Sequence, residues 1–89
     1  MKVKEVKKGD LFTIDNTLSR PKLKLEKGYI DMVSNYIWEH NEEVDAFIMD
    51  ERQIEKCVRI LRITREVFDA HKKKLSDRYI GGDIIEDKV

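Results

Sequence analysis

The sequence predicts an α+β domain, and three observations carry that prediction. Residues 1–33 hold short β-prone runs separated by turn residues. Lys22 to Met32 alternates polar and apolar residues on either side of Glu26-Lys27-Gly28, the pattern of a hairpin. From Asp50 to Tyr79 there is no Gly and no Pro, and Ile54, Leu61, Phe68 and Leu75 recur every seven residues. The expected architecture is an N-terminal antiparallel meander, a short helix and a long C-terminal amphipathic helix. All of it belongs to one domain over residues 1–80, with an acidic tail over 81–89.

Each element has a local reason. Val3 to Val6 is followed by Lys7-Lys8-Gly9-Asp10, where glycine supplies the freedom for a reversal. Leu11-Phe12-Thr13-Ile14 is aromatic and β-branched, as a strand prefers. Asp15-Asn16 tolerates positive φ and predicts a tight turn into Thr17-Leu18. Arg20 precedes Pro21 and is thereby pushed to extended backbone. In the hairpin, Leu23 and Leu25 should face the core opposite Ile30 and Met32, with Lys22 and Lys24 on the other face.

Ser34 to Glu43 reads as the short helix, capped by Ser34, with Tyr36, Ile37 and His40 on one side. Val44 to Met49 fits either a helical period or a buried strand. The fresh helix start at Asp50, with Gln53 three residues on, favours the strand. The helix that follows should run roughly 40 Å to Tyr79. Glu55 with Arg59, and Asp69 with Lys73, are spaced four apart as stabilising pairs, and Gly81-Gly82 supplies a stop. The residues expected to dominate the core or subunit interface are Leu11 or Phe12, Leu23, Leu25, Ile30, Met32, Ile37, Ile48, Ile54, Val58, Leu61, Phe68 and Leu75.

Composition narrows the function. Lys plus Arg and Asp plus Glu number 18 each, so the net charge is zero, yet the charge is blocked along the chain. Residues 1–28 carry net +4, 29–55 net −7, 56–78 net +5 and 79–89 net −2. Such blocks pair within the fold, pair between subunits, or present a basic face to an anionic partner. No apolar run approaches the length of a membrane span, no secretory h-region follows Met1, and the one cysteine cannot close an internal disulfide. A cytoplasmic protein without a membrane anchor is expected.

Chemistry finds little support in the sequence. Cys57, His40 and His71 have no metal-ligand spacing, so no metal and no cofactor are expected. The serines lack the glycine-flanked setting of a nucleophile elbow, and no phosphate-binding glycine loop opens a helix. No catalytic residue is assigned, and the chain is not expected to be an enzyme. A helix of that length exceeds what a domain this small needs to cover its core, which points to a second copy or another protein. Ile54, Leu61, Phe68, His71 and Leu75 are the candidate interface of a homodimer. Cys57, Thr64 and His71 occupy the row between the larger apolar residues; His71 there is first read as a satisfied histidine at the core edge, with a register-fixing polar layer or a pH switch as the alternatives. The expected function is therefore that of a small regulatory or accessory protein that binds a protein partner. The alternative is a nucleic-acid-binding domain using Arg20, Lys22, Lys24 and Lys27 beside the hairpin.

Overall fold

A computed structural model describes residues 1–80. The expected helix stop at Gly81-Gly82 and the acidic tail lie outside the described residues. Five short antiparallel strands form one sheet: β1 (Leu11–Thr13), β2 (Lys22–Lys24), β3 (Tyr29–Asp31), β4 (Ile37–Trp38) and β5 (Phe47–Ile48). Their spatial order is β4-β3-β2-β1-β5. Two helices follow, α1 (Glu51–Leu61) and α2 (Arg65–Tyr79). The chain is thus α+β.

Register explains the core. Leu11 pairs with Leu23, Leu23 with Ile30 and Ile30 with Ile37, so one apolar row crosses four strands on a single face. Cys57, Val58, Phe68 and Leu75 of the helices pack in the same cluster as Leu11, Leu23 and Ile30. The opposite face also carries a core. Phe12 and Tyr29 meet edge to face at 5.4 Å, Tyr29 stacks on Trp38 at 5.1 Å, and Val3, Val6 and Ala46 close over them. Val3–Glu5 is a single 3-10 turn where a strand was expected. It brings Val3 down onto that second core, held by its N–H to the Val44 carbonyl at 3.0 Å.

The hairpin is as the sequence predicts. Lys22 faces Asp31, Leu23 faces Ile30 and Lys24 faces Tyr29, and Gly28 takes φ 79° in the loop. Asp15 and Asn16 are both left-handed, but the turn leads through a second turn at Thr17–Arg20 before β2 begins at Lys22.

Three expectations are corrected here. Residues 34–43 form no helix. One Asp31 carboxylate oxygen accepts the N–H groups of Val33 and Ser34 at 2.8 and 3.1 Å, and Asn35 adopts φ 64°. This reversal sends Ile37 and Trp38 back along β3 as an edge strand. The long helix is likewise two helices. Arg62 is left-handed at φ 60°, and the Ile63 N–H reaches back to the Val58 carbonyl at 3.1 Å, closing α1 in the manner glycine usually does. Thr64 then caps α2 by accepting the Val67 N–H at 3.1 Å. The start of α1 matches expectation, with Asp50 and Gln53 each accepting the other's backbone N–H. Val44–Met49 resolves as the short strand β5, with Ile48 half-exposed at the sheet edge instead of in the core.

Candidate functional site

The break at residues 62–64 decides which helical residues reach the surface. Each helix now turns its own apolar side onto the sheet. Phe68 and Leu75 are consequently buried within the single chain, and Ile54 and Leu61 are half-buried against the same core. His71 is half-buried too, with Nε2 2.9 Å from the Met32 carbonyl oxygen. A carbonyl only accepts, so Nε2 carries the proton. The seven-residue stripe therefore serves intramolecular packing first, and little of it is left for a partner.

What the break exposes instead is a different apolar set. Ile60 is 52% exposed, Val67 54%, Val33 48% and Ile63 37%. Ile63 and Val67 line a cavity of about 160 Å³ together with Pro21, Met32, Val33, Leu61, Phe68 and His71. The lining is almost wholly apolar, and it includes His71 and Met32, which share a hydrogen bond. Together these four residues expose on the order of 300 Å², within the range of the largest apolar patch on an ordinary monomer, which is often functional. Sequence reasoning missed these residues, although a signal existed. Ile60 and Val67 are seven apart and lie off the Ile54-Leu61-Phe68-Leu75 row, so a single straight helix leaves both apolar side chains pointing away from the core.

The helices are fastened to each other by Arg65. Its guanidinium donates to Glu51 and Glu55 of α1, the latter at 2.6 Å, and to Asp69 of α2 at 3.0 Å. These carboxylates hold the guanidinium far above its already high ordinary value. Arg65 thus takes the partners expected for Arg59 and Lys73, while Lys73 bonds Asp77 at 3.1 Å. The junction is a braced corner, and the patch sits on it.

The basic hairpin is arranged differently from the sequence expectation. Lys22 and Lys24 leave the helix face as predicted, but their side chains are only 9% and 8% exposed. Lys22 Nζ donates to the Arg20 carbonyl at 2.8 Å and lies 3.4 Å from Asp31. Lys24 Nζ donates to the Leu25 carbonyl at 3.2 Å and lies 3.5 Å from Glu42. Arg20 is exposed but donates to Asp31 at 3.0 Å, and Lys27 is exposed. Burial alone raises the Asp31 carboxyl. The Ser34 and Val33 N–H groups, Arg20 and Lys22 outweigh that, and the group ends below its ordinary 3.8. Three of the four lysine and arginine charges expected to meet phosphate, Arg20, Lys22 and Lys24, are therefore engaged with carboxylates or carbonyls of the fold itself.

Among the described residues no group of three or more His, Cys, Asp or Glu side chains is placed to hold a metal ion. Nor is any helix there long and apolar enough to cross a membrane. The chain matches no protein-family model, no curated protein and no solved structure at a significant level.

Proposed function

We propose that this chain is a small, non-enzymatic regulatory or accessory protein of the cytoplasm that works by binding protein through the corner between α1 and α2. The observation that supports this reading is the exposed apolar set Val33, Ile63 and Val67 around one apolar cavity, with Ile60 exposed nearby in sequence. A domain of 89 residues has little apolar surface to spare from its own core, so leaving four such residues outside is costly unless they are covered in use. The corner is also tied across α1 and α2 by Arg65, which limits what is lost in ordering on binding.

The test uses the full chain immobilised and challenged with lysate from cells that express it. Wild type is expected to retain protein that the Ile63→Asp/Val67→Asp chain does not. Because both residues are surface-exposed, the double variant should melt within about 5 °C of wild type. Equal retention by the two chains refutes the reading.

A further inference from the structure

We infer that the partner seated on this corner is a second copy of the chain, docked about a two-fold axis; the inference rests on the binding reading above. A two-fold interface buries the same patch on both copies, so that patch must carry its own electrostatic complement. This one does. Three of its apolar residues each follow a charged residue in the chain: Arg59-Ile60, Arg62-Ile63 and Glu66-Val67. All three charges are exposed, and none of them forms an ion pair among the described residues. Their neighbours differ, since Arg65, Asp69 and Lys73 are all paired within the chain.

The segment that carries the patch, residues 59–67, therefore offers exposed, unpaired charge of both signs beside its apolar residues. A partner of one sign would meet like charge from either the arginines or Glu66, whereas a second copy answers both at once. With the axis passing near Ile63 and Val67, Glu66 of each copy reaches the Arg59–Arg62 side of the other, and each charge pair occurs twice. The apolar area is small for a permanent dimer, which places the assembly at the weak end of specific interfaces.

The experiment is sedimentation equilibrium of the full chain from about 1 µM to about 1 mM, at low and moderate salt. The mass should rise toward that of a dimer across this range, and association should weaken as salt is added. Arg62→Glu and Glu66→Arg, each alone, place like charges opposite one another twice and should weaken self-association about tenfold. Mixed one to one, these two variants regain both pairs in the heterodimer, so the mixture should associate within about threefold of wild type. Recovery on mixing cannot come from a folding defect. Failure of the mixture to recover overturns the assignment, as does wild type that stays monomeric to about 1 mM. A monomer whose lysate partner is still lost with Ile63→Asp/Val67→Asp removes the second copy and leaves the binding reading standing.

Discussion

Replacing Asp31 with Asn should be among the most damaging single changes of one polar atom in this protein. The Asp31 side chain is 2% exposed, accepts from the Val33 and Ser34 N–H groups and from Arg20, and pairs with the Lys22 ammonium 3.4 Å away. Asn keeps one carbonyl oxygen for the backbone donors but no charge for Lys22, whose side chain is 9% exposed and retains only the Arg20 carbonyl. Stranding one member of a buried ion pair costs about 3–5 kcal/mol. The half-exposed Arg20 adds little, roughly 0.5 kcal/mol or less after solvent screening. The expected loss is therefore about 3–4 kcal/mol. That is a large share of the ~5–15 kcal/mol typical of a whole domain.

Urea unfolding followed by circular dichroism reads this directly. Adding Lys22→Met to Asp31→Asn removes the stranded ammonium, so the double variant should recover about 1 kcal/mol or more over Asp31→Asn alone. Acid gives a second reading. The folded Asp31 carboxyl lies below its ordinary 3.8, so its contribution is full above that value and disappears as pH falls through the lowered one. Below about pH 4 wild type should lose stability more steeply than Asp31→Asn. A loss under about 1 kcal/mol in Asp31→Asn, or no recovery in the double variant, refutes the buried-pair account.

Three further outcomes follow from other parts of the structure. Thr64→Ala should destabilise by about 1 kcal/mol, because it removes the cap of α2. In an unbroken helix the same change would stabilise by a few tenths, so the sign in a thermal melt decides. Gly28→Ala should cost about 2 kcal/mol or more, since φ is 79° and the new methyl would overlap the Trp38 carbonyl. Gly9→Ala, at φ 93° with nothing within 4 Å, should cost visibly less in the same denaturation assay. Cys57 is fully buried and burial pushes its thiol up, so labelling by a thiol reagent at neutral pH should run at least about 100-fold slower than in urea.

The parts of the fold legible in the sequence are those fixed by local chemistry. Gly28 in the hairpin loop, the Leu23–Ile30 pairing and the reciprocal Asp50–Gln53 cap each rest on a few adjacent residues, and each occurs as expected. Ser34–Glu43 misleads because Ser34 is a good cap and Ile37 and His40 are helically spaced. The Asp31 carboxylate captures the Val33 and Ser34 N–H groups first, and β3 offers Ile37 and Trp38 an edge to pair with.

The break at Arg62 was harder to read, because arginine has no preference for a left-handed backbone. Nor does the break disturb the seven-residue row, since both helices lay their apolar sides on one sheet. Thr64 carried the missed clue. A polar β-branched residue in an apolar row, two residues before Glu66, is as much a helix start as an interior position. Ile60 and Val67 were legible as apolar residues off the core row, but the cavity beside Ile63 and Val67 became visible only with the break. The burial of Lys22 and Lys24 could not be read from alternation, which assigns them a face but not what covers that face.

The central claim is that the α1–α2 corner is the surface through which copies of this chain meet, and amide hydrogen exchange at two protein concentrations tests it most directly. Measured at about 5 µM and about 500 µM, exchange should slow at the higher concentration for residues 59–68 and around Val33, and stay unchanged at β4 and β5. Slowing confined to the sheet edges at Trp38 or Ile48, with the corner unaffected, would contradict the account.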